Sequence, residues 1–382
     1  MCGVDCHQNT AEIGTNVPIS PDTIRRYMFD TPFERELKAE VFKIVRRGKE
    51  FGTYGWYFRC AVYLIVFFGL QYRWVVHGSS ISLAIFYGIA QALIGMNVQH
   101  DANHGAASKN PWINDVLGLG ADMIGSSRWL WMEQHWTHHA HTNNADKDPD
   151  ATTAEPFLLF NNYSVDHVAR KWFHKFQAIY ATFLMSAYWL ASVTNTEVLD
   201  LKHSGAAKAG IRMENGYIKG CRKYATALRI LYIYVNIITP FQRAPFLTAF
   251  GHVMLMGVAG SLVLAILFSM SHNFQGAERH PTSQNDSPVC WFKSQVETSC
   301  TYGGFVSGAL TGGLNFQIEH HLFPRMSSAW YPYIAPTVRD VCQRHGVRYT
   351  YYPWMWQNWR STLQYMHETG NASWKEGNPY SG

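Results

Sequence analysis

The stretch SSISLAIFYGIAQALIGMNVQHDANH, residues 79–104, joins a run of apolar residues to a pair of histidines. Its apolar part, residues 79–98, has about the 20 residues that a helix needs to cross a bilayer. His100 and His104 follow directly and would share one face of a continuing helix, because side chains at i and i+4 are neighbours. The stretch therefore predicts a membrane helix that ends in two candidate metal ligands.

Two further clusters follow a common template, with ligand-type side chains at i, i+3 and i+4. The second cluster is His135, His138 and His139, and the third is Gln317, His320 and His321. On a helix, each cluster would direct its three side chains towards one point. A lone histidine pair is more often a surface or core feature than a metal site, but a repeated template is hard to attribute to chance. Seven imidazoles and an amide exceed the four ligands that usually satisfy zinc, so the clusters predict two metal ions.

The chemistry of these side chains limits the metal. Imidazole nitrogen suits zinc, copper, iron and nickel. None of the seven cysteines lies in a cluster, which argues against an iron–sulfur cluster and a structural zinc site. Soluble di-iron bundles bind their metals through paired Glu and Glu-x-x-His motifs, and that carboxylate-rich pattern is missing from the sequence. The clusters therefore predict a site in which nitrogen ligands dominate.

The clusters are predicted to lie at a membrane. The chain of 382 residues is 47% hydrophobic, 15% aromatic and 15% charged, with a mean hydropathy of -0.16. Further apolar stretches near the spanning length occupy residues 57–76, 178–194, 224–241 and 246–271. Buried helices of a soluble core are the alternative. Trp and Tyr near the ends of the stretches favour the membrane, because these residues gather at its interfaces.

All clusters must lie on one side of the membrane if they form one site. The segment 25–49 is rich in Lys and Arg, which favours a cytosolic N-terminal segment at residues 1–55. Two spans then return the chain to the cytosol at His100. The predicted fold is an all-α integral membrane protein with about four transmembrane helices plus an interfacial segment. Residues 56–382 form this membrane domain, and a cytosolic helical cap holds the metal site.

The chain must cross the membrane an even number of times between the second and third clusters. Three apolar stretches lie there, so one of them does not cross. A short loop containing proline joins 224–241 to 246–271 and favours a hairpin, which leaves 178–194 along the interface or dipping into it. The opposite assignment stays open. With the hairpin, His272 emerges at the cytosolic end of the last span and becomes an eighth candidate imidazole, with an ordinary surface histidine as the alternative.

The three clusters resemble the histidine boxes of membrane fatty-acyl desaturases of the front-end type. The boxes read HDANH at 100–104, HWTHH at 135–139 and QIEHH at 317–321, and Gln at the start of the third box is typical of that type. The string HTNNADKDPD after the second box and the continuation LFPRM of the third are similar as well. The resemblance covers nearly the whole chain from Phe33 to the C-terminus.

This resemblance implies a chemistry and a set of ligands. It implies a non-haem centre of two iron ions, O₂ as cosubstrate, and insertion of a double bond into a polyunsaturated chain carried as an acyl-lipid or acyl-CoA. It supports His272 as a ligand after the last span, and it implies a role for Gln317 by direct or water-mediated contact. A sphingolipid long-chain-base desaturase and a lipid hydroxylase are the chemical alternatives. A non-catalytic metal-binding membrane protein is the alternative from a different class.

The electron donor and the compartment are further expectations. Many front-end desaturases carry a cytochrome b5 domain with a His-Pro-Gly-Gly motif, which this sequence does not contain, so we expect a separate donor, either cytochrome b5 or a ferredoxin. The first 20 residues hold two acidic and no basic residues, unlike the usual signal or transit peptide, and we expect the endoplasmic reticulum. The seven cysteines predict no disulfide framework. The net charge of +5 suits a lipid surface more than nucleic acid.

Polar residues beside the boxes are candidates for orienting the imidazoles, since metal-binding histidines usually donate their second ring N–H to an acceptor. These candidates are Asp101, Asn103, Glu319, Asp146, Asp148 and Asp150. A solvated turn is the alternative for the last three, because Asp-Pro-Asp is a typical turn sequence. Trp129, Trp131 and Trp136 are candidates for lining a hydrophobic tunnel for the acyl chain, or alternatively for anchoring the interface.

Overall fold

The computed structural model describes residues 27–145, 147–199, 215–279 and 288–373, so Asp146 lies outside the described residues. The helices are α1 Pro32–Ile44, α2 Tyr54–Val76, α3 Ile81–Asn103, α4 Pro111–Gly118, α5 Gly120–Met123, α6 Arg128–Ala140, α7 Pro149–Thr152, α8 Trp172–Met185, α9 Tyr188–Val198, α10 Gly216–Arg222, α11 Ala225–Phe241, α12 Phe246–His272, α13 Trp291–Glu297, α14 Phe305–Thr311, α15 Gln317–Leu322, α16 Tyr331–Arg344 and α17 Met355–Asn371. The strands are β1 Tyr27–Met28, β2 Val289–Cys290, β3 Cys300–Tyr302 and β4 Thr350–Tyr352. They form two parallel pairs, β1 with β2 and β3 with β4.

Local sequence signals explain where the first two membrane helices begin. The Thr53 hydroxyl accepts a hydrogen bond from the Trp56 N–H at 3.2 Å, and this cap starts α2. The Ser80 hydroxyl accepts from the Leu83 N–H at 3.3 Å and starts α3. Gly78 lies between the two helices with φ +87, a conformation that side-chain-bearing residues rarely adopt. The sequence thus encodes a tight α2–α3 hairpin.

Helices α3 and α12 pack against each other in parallel. A Cβ atom at Gly260 of α12 would lie 2.9 Å from the Gly88 carbonyl of α3, and one at Gly95 would lie 3.5 Å from the Leu264 side chain. The contact therefore advances along both helices in the same direction. Because α3 leads into the first histidine cluster and α12 ends at His272, parallel packing brings these two chain segments to the same end of the bundle.

Helix α11 runs antiparallel to α3 and crosses back from the cluster end. Near its start, Arg229 donates to the Ser126 carbonyl at 3.1 Å, just before the helix that carries the second cluster. Near its other end, Asn236 accepts from the Tyr87 hydroxyl at 2.6 Å and, through its carbonyl, from Trp74 at 3.2 Å. The predicted hairpin of the stretches 224–241 and 246–271 is therefore present as α11 and α12. Among the described residues, the helices of full spanning length are α2, α3 and α12, and α11 is a shorter apolar helix.

Helices α8 and α9 form a bent pair with an angle of 65° between them. At the start of the pair, Gln177 donates to the Met366 carbonyl of α17 at 2.8 Å. At the bend, the Trp189 N–H donates to the Ser261 hydroxyl at 2.7 Å, in the middle of α12. At the end, Val198 is buried in a cluster with Trp129 of α6. Both ends thus lie on the side of the histidine clusters, so the stretch predicted as the non-crossing segment dips into the bundle and returns.

The remaining helices form a cap over the cluster end of the bundle. Its core contains Leu37 and Val41 of α1, Val338 and Val341 of α16, and Ile318 of α15, all fully or almost fully buried. The N-terminal helix α1 therefore packs directly on the elements that position the third cluster. Together with the spans, this cap confirms the predicted all-α membrane fold.

Candidate metal centre

A π-helical turn at Gly95–Gln99 lies within α3, immediately before His100. A π turn inserts an extra residue and so rotates the side chains that follow relative to a regular α-helix. Asn97 in this turn donates its amide to the Leu310 carbonyl at 3.2 Å. The end of α3 that carries the first cluster is thereby tied to the segment that leads into the third.

The second cluster lies on α6, and Arg128 at its first turn connects it to the first cluster. The Arg128 guanidinium donates to the Asn103 side-chain oxygen at 2.7 Å and to the Asp115 carboxylate at 2.8 Å. Arg128 is buried, and its charge is compensated by the Asp115 carboxylate and the surrounding acceptors. The orientation of α6 relative to the end of α3 therefore depends on a charged hydrogen-bond network.

The third cluster lies on the short helix α15, which the chain enters through a turn at Gly312 with φ +69. A Cβ atom at Gly312 would overlap the carbonyl oxygen of Met96 in the π-helical turn of α3. Glycine is needed here for both its backbone conformation and the close approach. The first and third clusters are consequently held together by backbone packing.

Four histidines form one group, which we call the first histidine group. Each offers one ring nitrogen, and these nitrogens all lie within 4.8 Å of one another. The members are His100, His104, His135 and His320, drawn from all three boxes. Three of them are buried and His135 is partly exposed. This geometry can surround one metal ion.

Three further histidines form the second histidine group, again with ring nitrogens within 4.8 Å of one another. The members are His138, His272 and His321. The Nε2 atoms of His138 and His272 are 3.2 Å apart, and the Gln317 amide nitrogen lies 3.0 Å from the same His272 atom. His272 is therefore part of this group and is not an ordinary surface histidine. The Gln317 side chain contacts the same group.

His139 lies between the two groups. Its Nε2 is 3.1 Å from the Nε2 of His135 in the first group, and it also shares a possible ligand set with His320 and His321. The nine side chains expected from the sequence are therefore brought together as two adjacent sets. The spacing of the second box predicted that its three histidines converge on one point, and this prediction was wrong. His135 faces the first group, whereas His138 faces the second.

In the second group, the Nδ1 atom of each imidazole, which points away from the other two histidines, lies next to a hydrogen-bond acceptor. The Nδ1 of His138 is 2.9 Å from the Asp148 carboxylate, the Nδ1 of His272 is 3.0 Å from the Thr298 carbonyl, and the Nδ1 of His321 is 2.8 Å from the Gln295 side-chain oxygen. A neutral imidazole that donates through Nδ1 has a bare lone pair on Nε2. The three Nε2 lone pairs are therefore directed into the site.

Buried ligand atoms without hydrogen-bond partners test whether a metal fits. The buried atoms without a partner include Nε2 of His100, His104, His320 and His321, Nδ1 of His139 and Oε1 of Gln317. Leaving each such atom unsatisfied costs about 1–3 kcal/mol. Two nitrogens bound to one ion at about 2.1 Å lie roughly 3.0–3.4 Å apart. The Nε2–Nε2 distances of 3.2 Å between His138 and His272 and of 3.1 Å between His135 and His139 fall in this range. The donor set therefore fits imidazole-preferring metal ions.

The electrostatics of the centre also favour bound cations. Burial, followed by the neighbouring imidazoles, lowers the pKa of His135, His139, His320 and His321, which keeps these rings neutral. Burial also lowers the pKa of His138, but the Asp148 and Asp150 carboxylates outweigh this effect and raise it to about 9. The two carboxylates therefore stabilise a positive charge at His138, which can be a proton on the ring or a metal ion bound to it.

The predicted orienting residues divide into two kinds. Asp148 contacts a ring nitrogen, and Asp150 lies 3.6 Å from the same His138 atom. Asp101 accepts hydrogen bonds from Ser327 and Ser328, and its other carboxylate oxygen lies 3.9 Å from Nδ1 of His100. Asn103 accepts from Arg128. Glu319 accepts from Thr301 and Tyr349, and burial raises its pKa to about 7. The hydrogen bonds of these three residues therefore go to neighbouring segments of the chain and not to imidazoles.

Several orienting residues carry no signal in the sequence. Gln295 and Thr298 are distant in sequence from the histidines they contact. Tyr331 accepts from the His320 Nδ1 at 3.2 Å and donates to the Met326 carbonyl. Thr142 is the exception, because its position four residues after His138 could have indicated a contact with the second box. Its hydroxyl contacts both the His138 carbonyl and the His321 ring.

A narrow cavity of about 40 Å³ lies inside the bundle, close to the metal centre. Trp131 lines the cavity and stacks on His135 with ring centroids 4.3 Å apart, so it lies between the two. Gly95, Gly260 and Leu264 are among the other residues that line the cavity. Of the three tryptophans considered for an acyl tunnel, Trp131 lines this cavity, whereas Trp129 packs near Val198 and Trp136 stacks on Tyr217.

Comparisons with known proteins agree with this arrangement. A family model described as fatty acid desaturase matches residues 72–353. An acyl-lipid (7-3)-desaturase of Diacronema lutheri is 31% identical over 341 residues, which cover 87% of this chain and 74% of the relative. The enzyme of the same name from Rebecca salina is 35% identical over 300 residues, 77% of this chain and 65% of the relative.

A third relative is a chloroplastic acyl-lipid (7-3)-desaturase of Chlamydomonas reinhardtii, which is 32% identical over 383 residues, 94% of this chain and 69% of the relative. The chain thus spans about two thirds to three quarters of the length of these relatives. The family match includes all three boxes and His272. This chain belongs to the fatty acid desaturase family, as a member of its front-end type.

Proposed function

We propose that this front-end desaturase inserts a double bond into a polyunsaturated acyl chain carried by a membrane lipid, at a centre of two iron ions. The observation that carries the proposal is the pair of adjacent histidine groups with unsatisfied ring nitrogens, next to a narrow cavity inside the bundle that Trp131 lines while stacking on His135. Three relatives whose names specify acyl-lipid substrates favour a glycerolipid over acyl-CoA as the carrier.

The ligand assignment follows the two groups. One ion would be held by the first histidine group together with His139. The other would be held by the second histidine group together with Gln317, whose amide oxygen turns inward if its two ends are exchanged. Iron held there would supply an O₂-derived oxidant, which is needed because no side-chain acid or base can break an unactivated methylene C–H bond.

The residues of the chain would support this chemistry by orienting the imidazoles, by positioning the acyl chain and by keeping water out of the site. Asp148, the Thr298 carbonyl and Gln295 keep three imidazoles in one tautomer, so that their Nε2 atoms stay available. Trp131 contacts both His135 and the cavity, and we propose that its ring positions two neighbouring methylenes beside the metals. Burial of the ligands excludes bulk water from the reacting carbons.

The balance of the reaction requires an electron donor. Removing two hydrogens from a CH₂–CH₂ unit while O₂ becomes two waters consumes two further electrons and two protons. We propose cytochrome b5 or a ferredoxin as the source of these electrons. The chain is a membrane protein, and we place it in the endoplasmic reticulum, with the plastid as the alternative that the chloroplastic relative raises.

Expression in yeast fed a panel of polyunsaturated acids tests the function. The expected result is a new double bond, located by mass spectrometry of derivatised acyl chains and found first in membrane glycerolipids. Purified protein should contain about two iron ions per chain and no other transition metal at that level. Hydroxylated chains would identify a lipid hydroxylase, and altered long-chain bases would identify a sphingolipid desaturase. Bound iron without any altered lipid would favour a non-catalytic metal-binding protein.

A further inference from the structure

A second, larger groove lies outside the metal centre, at the junction of the cap and the bundle. It has a volume of about 850 Å³. Residues 303–307 line one part of it, residues 353–356 with Tyr351 and Trp359 line another, and Ile266 of α12 also contributes. No histidine of the metal centre lines it. The groove therefore has no assigned role in the proposed reaction.

The walls of this groove are apolar and strongly exposed. Phe305 is 65% exposed, Val306 74%, Trp354 63% and Trp356 62%. A contiguous apolar surface of this kind marks a contact with lipid or with another protein. Because Ile266 belongs to a membrane helix, the groove is continuous with the lipid-facing surface of the bundle. Tryptophans at this level are typical of the membrane interface.

The groove is separate from the narrow cavity beside Trp131. That cavity is lined by Leu264 and Phe268, which share one face of α12 because they are four residues apart. Ile266 lies two residues from each, and so points to roughly the opposite side of the helix. An acyl chain in the groove would thus be divided from the reacting chain by the body of α12.

A positive charge packs against Tyr351, one of the residues that line the groove. The guanidinium of Arg339, an exposed residue of α16, is 4.4 Å from the ring centre of Tyr351 and 5.2 Å from that of Tyr349. Stacking between two tyrosines holds the charge in place and leaves its edge able to bind phosphate in a bidentate manner.

We propose that this groove binds a glycerophospholipid of the surrounding membrane. One acyl chain lies along Ile266, Val306 and Trp356, and the phosphate contacts Arg339. An apolar groove continuous with the bilayer and a guanidinium packed against its lining residue Tyr351 match the two parts of such a lipid. The inference is independent of the proposed reaction, because neither the histidines nor the metals take part in it.

A groove-filling substitution tests this site. A Cβ atom at Gly304 meets nothing within 4 Å, and its φ of -156 lies outside the left-handed region, so Gly304→Trp adds a large ring at the groove without a clash at its Cβ atom. Gly251→Trp is the matched control, since a Cβ at that lipid-facing position of α12 also meets nothing within 4 Å. A third variant, Arg339→Gln, removes the charge and keeps the length of a polar side chain.

Retained lipid is counted by native mass spectrometry after adding dioleoyl phosphatidylcholine or dioleoylglycerol to detergent-purified protein. Wild type and Gly251→Trp should retain phosphatidylcholine, and Gly304→Trp should weaken its binding about tenfold or more. Arg339→Gln should weaken phosphatidylcholine binding by a similar factor of about ten and leave dioleoylglycerol unchanged.

Three outcomes would overturn the inference. Equal retention by Gly304→Trp and Gly251→Trp would show that the groove is not the lipid site. Equal binding of both lipids by wild type would remove the role of the phosphate. A dimer that only Gly304→Trp abolishes would assign the groove to a second copy of the chain. None of these measurements requires turnover, so their failure is distinct from a failure of the proposed desaturation.

Discussion

The two histidine groups are neighbours, but they are held in place by different forces. In the second group each imidazole donates through Nδ1 to an acceptor at 2.8–3.0 Å. In the first group, among the described residues, the hydrogen bond to an outer ring nitrogen is that between His320 and Tyr331, at 3.2 Å. The other rings of the first group pack edge to face, with centroids 4.9–5.1 Å apart for His100, His104 and His135.

The difference shows two ways to build a nitrogen-rich site. Hydrogen bonds fix the tautomer and the direction of each ring in the second group, so a polar substitution should disturb it most. Close backbone packing between the π-helical turn of α3 and the Gly312 turn fixes the first group, so a steric change should disturb it most.

Loss of a ligand from either group should abolish desaturation. His104→Ala in the first group and His321→Ala in the second should each lower product formation by about a hundredfold or more, since removing even a partner of a ligand costs up to that factor. Each variant should also lose about one of the two proposed iron ions. Product is measured by gas chromatography of acyl chains, and iron by elemental mass spectrometry of purified protein.

His367→Ala is the matched control for this prediction, because His367 is an exposed histidine of α17 outside both groups. It should retain full activity and full iron content. If His104→Ala and His321→Ala each lose both ions, the two groups form one cooperative site, and the division between them does not describe metal binding.

Removing an orienting partner should affect the second group more than the first. Asp148→Asn should lower turnover about tenfold to a hundredfold, because the amide cannot hold His138 as the carboxylate does at 2.9 Å. Tyr331→Phe removes the longer contact to His320 and should lower turnover by no more than about threefold. Initial rates in membranes containing equal amounts of protein measure both. Equal losses would contradict the contrast between the groups.

Gln317 should tolerate a nitrogen ligand better than the loss of its polar group. Gln317→Ala leaves the second group one ligand short and should lower turnover about tenfold, whereas Gln317→His should stay within about threefold. This prediction rests on the distance of 3.0 Å between the side-chain amide nitrogen of Gln317 and Nε2 of His272. Full turnover of the Ala variant would reduce Gln317 to a packing residue.

A steric change at the Gly312 turn should disturb the packing that holds the first group, and we expect it to lower stability without removing a ligand. Gly312→Ala introduces a Cβ that overlaps the Met96 carbonyl, at a residue with φ +69, and should cost about 1–3 kcal/mol of stability. The measurement is thermal unfolding in detergent, compared with Gly304→Ala, whose Cβ meets nothing within 4 Å. An unchanged unfolding temperature for Gly312→Ala would show that the backbone contact does not constrain the site.

Much of the fold and the site could be predicted from local patterns. The 20-residue apolar part of 79–104, with capping Ser80 ahead of it and His100 behind it, predicts a span and its ligands without any knowledge of other segments. The topological argument that returned His272 to the same side also rests on span counting alone. Such features depend on residues close in sequence, whose relative positions are set by helix geometry.

The division of the boxes into two groups could not be predicted in this way. His320 and His321 are adjacent in sequence, yet one faces the first group and the other the second. Spacing places side chains on a helix face, but the direction in which that face points depends on how α6, α15 and the ends of α3 and α12 pack. The acidic neighbours show the same limit, because Asp148 contacts a ring whereas Asp101 and Glu319 hold loops.

The sequence by itself determined which imidazoles were candidate ligands and that His100, His104 and His272 lie at the ends of apolar stretches, because periodicity and hydropathy act within one helix at a time. The tertiary structure alone decided which nitrogens meet and what orients them. Gln295 and Thr298 approach their histidines from a separate part of the chain, and a hydrogen-bond partner is selected by proximity in space. The ligand inventory is therefore local information, whereas the two-group geometry is a product of packing.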